Sequence, residues 1–595
     1  MRCWRRGIAC AFVVLMLHSG TASAQDQEIE RLIDELLGIS EPGFGYSVYF
    51  AGGEFLPFQG TGQMGVLVLG VSRATRSEAL RKLVEKGAAA VPVLLKHIGD
   101  TRTIKMKPVS GMMWMDFPDE YDFNRRTRKT PPQGVNRHSF RSGNDQPRDH
   151  AITVGDLCFV ALGQVVNRHF SATRYQPSGG LMVNSPTYSK ALREVILQDW
   201  SGLTRQRHKD LLIDDFTNPD DEDRRIGAYL RLACYYPDAV EPLVLKQLAE
   251  PVYDSLAGSD FIRETLYRVK DTADRKRRFD AFVAKHGEAA RQGLLLDLFQ
   301  DLDTQQADEE GRLHPPLKEK YEARACLVEL YGYPRTVKSS DCPHLLQTTK
   351  FAQARFIKTL THDRSQKVGD AVRRIFQEHH DDNAYAPACL VSLASRGYGP
   401  FLVEQLSKIN VADSKGNPLH LKYIEAVSQS QEEDVRKKLL EIVKTTTNDE
   451  YFMAALPAID RSHDALVLKR ARELLARLPP DTDRGESILQ MIGQRFPEQA
   501  KTVYRSFLAT GSAGRAETMC VVLWYGNPMA VEILAPLLDD KRSLPGFSTP
   551  MRVCDRAATA ISQTSEKLSF DSDWSTAKKD QAIERIRQYC RGKVK

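Results

Sequence analysis

Past its first 17 residues the sequence has no apolar run approaching the roughly 18 that a membrane-crossing helix needs, which excludes a multi-span membrane protein. It has no large excess of either charge, with 83 Lys and Arg against 77 Asp and Glu. With 42% hydrophobic residues it is also neither disordered nor collagen-like. Its ten cysteines include no C-x-x-C pair. Strand-like alternation is scarce: the stretches around Tyr46–Phe58 and Leu181–Val183 are short and glycine-flanked, and read as loops or small hairpins. Catalytic spacings are missing too: there is no H-E-x-x-H, no G-x-S-x-G and no Walker A loop. The expectation is a non-enzyme without metal or cofactor.

What is present first is an export signal. Arg2, Arg5 and Arg6 precede the apolar run Gly7 to Leu17, and Ala22-Ser23-Ala24 is an A-x-A cleavage site. Residues 1–24 read as a signal peptide, so the mature chain is expected to start at Gln25, periplasmic or extracellular and without a transmembrane anchor. Losing three arginines and no acid lowers the net charge from +6 to +3. Eight cysteines remain, most of them single positions inside helical patterns. They are expected to be small apolar core residues rather than disulfides.

The rest is dominated by helical periodicity. Val154, Leu157, Cys158, Ala161, Leu162, Val165 and Val166 fall on one helix face, as do Ile226, Tyr229, Leu230 and Ala233, and Val467, Ala471, Leu474, Leu475 and Leu478. Two junctions recur. Ala90-Val91-Pro92-Val93-Leu94 resembles Val240-Glu241-Pro242-Leu243-Val244, with looser copies at Tyr398–Leu402 and Ala530–Pro536. Proline suits a first helical turn, where its missing N–H costs nothing; Pro536 falls later and is expected to bend its helix. Val154-Gly155-Asp156-Leu157-Cys158 aligns with Val553-Cys554-Asp555-Arg556-Ala557, with small residues for close helix approach and an Asp placed to cap.

These junctions resemble the HEAT-repeat family, including its bilin-lyase HEAT-like subgroup. Asp539-Asp540-Lys541-Arg542 with Arg552-Val553-Cys554-Asp555, and Tyr175-Gln176-Pro177-Ser178-Gly179-Gly180, are similar to secreted HEAT-repeat proteins of planctomycete-type bacteria. The resemblance implies an all-α, HEAT-like α-solenoid of stacked helical hairpins and imports no activity. The expected organisation is an N-terminal cap at 25–72, a first solenoid segment at 73–340 with loop insertions at 101–149 and 169–187, and a second segment at 341–595. Solenoid insertions often emerge on the binding face.

Several chemical signals are weak. Gly60-Thr61-Gly62-Gln63-Met64-Gly65 lacks βαβ context and reads as a glycine turn. Asp301, Asp303 and Asp308 match a calcium loop only in part, since Gln306 and Arg312 stand where glycine and glutamate are needed; a solvated acidic loop is expected. Asp220-Asp221-Glu222-Asp223, after Pro219, read as acids favoured at a helix N-terminus. His379-His380-Asp381-Asp382 reads as an exposed helix end. Were the chain an enzyme, its site would lie near Asp156, His169 and Tyr175.

The first insertion carries the strongest signal. Met112, Met113, Trp114, Met115, Phe117, Tyr121 and Phe123 precede Arg125, Arg126, Arg128, Lys129, Arg137, Arg141 and Arg148. From Phe123 to Arg148 seven basic residues face one acid, Asp145. Arginine forks match carboxylate, sulfate and phosphate groups. Nucleic acid is not expected for an exported chain, which favours an acidic polymer such as an anionic glycan, or an acidic protein face. The bland alternative is a loop folded back on the helices, with Trp114 and Phe117 packed and the arginines solvated. The expected function is a scaffold binding a protein or polymer partner, with Trp114, Phe117, Tyr121, Arg125, Arg126, Arg128, Lys129, Arg137 and Arg141 as candidate contacts.

Overall fold

The computed structural model describes residues 24–40, 53–59, 76–110, 114–126, 128, 130–133, 135, 149–175, 180–219, 221–250, 271, 273–284, 350–479, 485–509, 511–524, 527–544 and 551–593. The leader up to residue 23, the glycine turn at 60–65, the acidic loop near 301–312, Cys326, Cys342, Lys129, Arg137 and Arg141 lie outside them. The described chain is mostly helical and divides into two compact units, Met1–Ile375 and Phe376–Lys595. Among the described residues no helix is long and apolar enough to cross a membrane.

The first unit contains α1 (Ala24–Glu35), α2 (Glu78–Glu85), α3 (Val91–Lys96), α4 (Val154–Val166), α5 (Lys190–Trp200), α6 (Arg205–Thr217), α7 (Glu222–Tyr235), α8 (Val240–Leu248) and α9 (Lys350–Thr359). Local chemistry sets the starts. The side chains of Ser77, Ser189, Thr204 and Asp221 each accept a free N–H of the first turn. Pro92 sits in the first turn of α3, as its fixed φ allows. Helix α4 is buried along its whole length and packs on α2 and α3. It ends at Asn167, which has φ 59°, a left-handed conformation that Asn tolerates better than most residues.

The two insertions do not remain separate loops. Strand β1 (Val109–Ser110) pairs antiparallel with β3 (Asp149–His150) and closes the base of the first. Strand β2 (Met115–Asp116) then joins β4 (Thr173–Tyr175) and β5 (Leu181–Val183) in one sheet of order β2-β5-β4. Leu181–Val183, read from sequence as a loop or small hairpin, is a strand paired antiparallel with β4, and the first insertion supplies the third strand of that sheet.

The second unit opens in the last turn of α10 (Gln366–Glu378). It continues with α11 (Tyr385–Ala394), α12 (Gly399–Ser407), α13 (Pro418–Val427), α14 (Glu433–Thr445), α15 (Asp449–Ala455) and α16 (Asp464–Arg477). Next come α17 (Glu486–Arg495), α18 (Pro497–Leu508), α19 (Ala513–Val522), α20 (Ala530–Leu534), α21 (Val553–Ser562) and α22 (Thr576–Lys593). From α11 to α20 each helix packs on the next but one, giving two rows of alternate helices. Helix α20 passes into a 3-10 turn over Ala535–Asp539, where Pro536 removes an N–H from the helical ladder.

The repeated V-x-D motif is matched atom for atom. Before α4, Asp100 accepts the Arg102 N–H at 3.0 Å, and the Arg102 and Asp100 carbonyls accept the N–H groups of Val154 and Gly155 at 2.9 Å each. Before α21, Asp540 accepts the Arg542 N–H at 3.1 Å, and the Arg542 and Asp540 carbonyls accept those of Val553 (2.9 Å) and Cys554 (2.8 Å). Thr103 bridges Thr153 in one copy and Ser543 pairs with Arg552 in the other. In both, the motif aspartate reaches back to a backbone N–H, from Asp156 to Thr153 at 2.9 Å and from Asp555 to Arg552 at 3.1 Å. The Arg102 guanidinium beside Asp100 pulls its carboxyl down to about 2. The clasp is thus independent of what it encloses: a long insertion in the first unit, a short hairpin in the second.

One position differs between the copies for a steric reason. A Cβ on Gly155 would lie 2.5 Å from Thr187 Cγ2 and 2.8 Å from the Ile98 carbonyl oxygen, whereas the second copy holds Cys554. Replacing Gly155 by Cys is expected to destabilise the first unit by about 1–3 kcal/mol, since packed neighbours must move. Thermal unfolding of Gly155→Cys beside Cys554→Gly checks this; equal small losses would count against the clash.

Cys158, Cys389, Cys520, Cys554 and Cys590 are buried free thiols, and Cys234 is half-buried. Burial pushes the Cys520 thiol up to about 12 and the Cys234 thiol up to about 11, as apolar packing requires. Asp382, from the His-His-Asp-Asp run, caps the next helix by accepting the N–H groups of Ala384 (2.8 Å) and Tyr385 (3.0 Å). His379 stacks on Tyr385 at 4.8 Å.

Candidate functional site

The first insertion lies back on the helices of its unit through aromatic packing. Phe117 and Tyr121 are buried, Tyr121 packing 5.4 Å from Phe170, which stacks on Phe159 of α4. The Tyr121 hydroxyl donates to Asp199 Oδ2 at 2.8 Å and accepts from Trp200 Nε1 at 3.1 Å. Burial, and then the Asp199 charge, raise this phenol far above its usual range, so it stays protonated. Arg128 donates to the same Asp199 oxygen at 2.8 Å.

Beyond Tyr121 the chain enters a buried ionic network. Asp122 accepts from Arg224 Nη2 at 2.8 Å and from the His169 N–H at 2.7 Å. Burial alone would raise the Asp122 carboxyl, but Arg224, His169 and Arg168 outweigh it and hold the group well below the usual range. Asp215 accepts from Asn124 Nδ2 and Asn167 Nδ2, each at 2.9 Å, and from Arg168. Arg224 also donates to the Asn167 carbonyl at 3.1 Å. Nearby, Arg231 is fully buried, and its Nε and Nη1 donate to the carbonyls of Gln164 (2.6 Å) and Gly227 (2.8 Å). Burial lowers this guanidinium to about 10. His208 lies 2.9 Å from the Tyr236 hydroxyl and 3.0 Å from the Val165 carbonyl, and burial holds it down to about 4, so it is neutral near pH 7.

The second insertion is pinned as firmly. Asn184 copies a strand partner, accepting the Glu120 N–H at 2.9 Å and donating to the Glu120 carbonyl at 2.8 Å. Arg174 on β4 pairs with the Glu120 carboxylate. Ser185 donates to Asp156, and His150 Nε2 lies 3.0 Å from the other Asp156 oxygen. This is Ser, Asp and His in contact with the carboxylate in the middle. The Ser185 hydroxyl directs its proton to Asp156 Oδ1, the Thr153 N–H occupies Oδ2, and His150 lies on that carboxylate; among the described residues no imidazole is bonded to the Ser185 hydroxyl. The cluster near Asp156 therefore ties both insertions to the start of α4. Tyr175 ends β4, and His169 contributes its backbone N–H to Asp122.

Among the described candidate contacts the structure separates two groups. Phe117 and Tyr121 are core, and Arg128 is half-exposed and paired. Arg126 is half-buried, its backbone N–H bound to Asn124 Oδ1 at 3.0 Å. Arg125 faces solvent. Trp114 remains 37% exposed, and its indole lies so close over Gly180 that any Cβ there would strike the ring. Tyr188, 49% exposed, packs against Phe117 with ring centroids 4.4 Å apart and ring planes tilted by 33°. These are the two large apolar side chains left exposed among the described residues. Among the same residues no three His, Cys, Asp or Glu side chains gather as metal ligands would.

Sequence reasoning missed Tyr188 and the whole buried network. Asp122, Asn124, Asn167, Arg168, Asp215 and Arg224 carry no spacing signal, because their partners lie far off in the chain. A weak trace exists at Arg231, a charged residue between Leu230 and Leu232 in the otherwise uncharged stretch Ile226–Tyr235 of α7. Comparison with protein families, with curated proteins and with solved structures returns no match.

Proposed function

We propose that the protein is exported and acts as a HEAT-like α-solenoid scaffold that holds a protein or polymer partner without catalysis of its own. The solenoid reading is supported by the two alternating helix rows of the second unit and by the duplicated Asp-x-Arg clasp. The observation that carries the binding reading is the position of Trp114 and Tyr188. A chain that buries Phe117, Tyr121 and two ion pairs to fix its insertions leaves these two aromatics in water on the same sheet module. Arg125 at the end of that segment adds a solvent-facing cation. The partner face is thus smaller than the basic run and centred on Trp114, Tyr188 and Arg125.

An acidic polymer, anionic glycan included, is the second reading. It is favoured by the net +6 of residues 123–148 and disfavoured by the use of Arg128 as a partner of Asp199. Nucleic acid is not proposed for an exported chain. Mature protein fixed to a support should capture a partner from the envelope fraction, and Trp114→Ala/Tyr188→Ala should lose it while melting like wild type. A polymer held by charge should also release steeply as salt rises. A partner kept by the double variant and lost only on deletion of 123–148 would move the site to the basic run. One kept by both variants would overturn the insertion face altogether. N-terminal sequencing of the exported protein is expected to begin at Gln25.

A further inference from the structure

We propose that the second unit carries its own binding groove, suited to a basic, partly apolar peptide segment of a partner protein. The groove spans about 670 Å³ between α13, α15 and the start of α17, three successive helices of one row. Its floor is apolar, from Leu421, Met453, Ala454, Pro457 and Ile488, and four carboxylates line it: Glu425, Asp449, Glu450 and Glu486. Among the described residues no Lys, Arg or His lines it.

The stability of their own helices does not account for all four carboxylates. Asp449, Glu450 and Glu486 sit in first turns, where the helix dipole favours an acid. Glu425 sits in the last turn of α13, where the dipole opposes it. The other row behaves differently. On α14, Glu433 pairs with Lys437 and Glu441 with Lys438, and on α12 Glu404 pairs with Lys408. Among the described residues no ion pair reaches Glu425 or Glu450 in the groove, and Lys422, one turn from Glu425, instead reaches the Asn383 carbonyl at 3.4 Å. Arg495, at the far end of α17, is spent on Asp464. Glu425 and Glu450 beside an apolar floor match a segment that offers Lys or Arg to the rim and an aliphatic side chain to the half-buried Leu421 and Met453. An anionic segment is repelled, so the groove selects by charge as well as shape.

This groove is independent of the Trp114 face, and the test keeps the two apart. A fluorescent amphipathic Lys/Leu peptide is titrated into mature protein and read by anisotropy. Wild type is expected to bind it, with affinity falling about tenfold between low and physiological salt. A Glu/Leu peptide should show no binding, and an all-lysine peptide of equal charge should bind more weakly. Glu425→Lys/Glu450→Lys should lose at least about tenfold in affinity. Glu433→Lys/Glu441→Lys, on the other row, and Trp114→Ala/Tyr188→Ala should bind like wild type. If the groove variant fails to fold, Glu425→Gln/Glu450→Gln takes its place, with the same expected direction. No binding by wild type, equal loss in groove and α14 variants, or equal affinity for the all-lysine peptide overturns the proposal.

Discussion

Replacing Asp215 by Ala is expected to destabilise the first unit by about 3–5 kcal/mol, the cost of breaking a buried ion pair from one side. The carboxylate is 1% exposed and serves three donors: Arg168, Asn124 Nδ2 and Asn167 Nδ2. Without it a guanidinium only 7% exposed keeps its charge and loses its counter-ion, and two buried amides lose an acceptor. The penalties overlap, because one collapse or one entering water serves all three groups. Hydrogen exchange localises the effect: amides of α4 and α7 should lose protection, those of α11–α21 should not. Asp580→Ala, which removes a half-exposed partner of Arg552, is the control and should change stability by less than about 1 kcal/mol. Similar losses for the two would mean that water already reaches the Asp215 network.

The second large effect is expected at Glu222 and depends on pH. This carboxyl is 13% exposed, neither of its oxygens has a hydrogen-bond partner, and its nearest cation is Arg225 Nε at 3.8 Å. Burial is the main cause that pushes it up to about 8; Arg225 and Arg355 oppose the shift, and Asp223 and Asp221 add to it. An unfolded glutamate titrates near its model value of 4.5. The folded chain therefore holds one more proton than the unfolded chain between those two values. The stability this group contributes is complete below the unfolded value and is lost as pH rises through the folded one. Glu222→Gln removes the titration. Between pH 5 and pH 9 wild type should lose about 1–3 kcal/mol relative to the variant, discounted for partial exposure and water entry. Calorimetric melting of both proteins across that range checks it. Parallel curves would show that the carboxyl finds a partner in solution.

Glu222 also shows the limit of local reading. The run of acids before α7 reads as charges favoured at a helix N-terminus, and Asp221 does cap that helix by accepting the Arg224 N–H at 2.7 Å. Its neighbour Glu222 has the same local chemistry and is buried without a hydrogen bond. The difference comes from what packs over the helix start, which the local pattern does not encode.

The insertion makes the same point in the other direction. Aromatics followed by arginines read as one binding segment. Packing divides it: Phe117 and Tyr121 become core, Arg128 meets Asp199, and exposure is left to Trp114 and Arg125. Tyr188 joins them from a turn that carries no signal. The four acids of the groove are invisible for a related reason, since each looks ordinary on its own helix.

The amino-acid order by itself determined the helices, their capped starts, the proline junctions, the small residues of the V-x-D motif and the single buried thiols. Each depends on neighbours within a turn or two, through the 3.6-residue period and free N–H groups. Only the tertiary structure decided which charges are buried, which aromatics face water and how two insertions share one sheet. Asp122 meets Arg224 across 102 positions and Arg168 meets Asp215 across 47. Such pairs leave no periodic trace, because the energy that selects them exists only after the chain has folded and water has been removed.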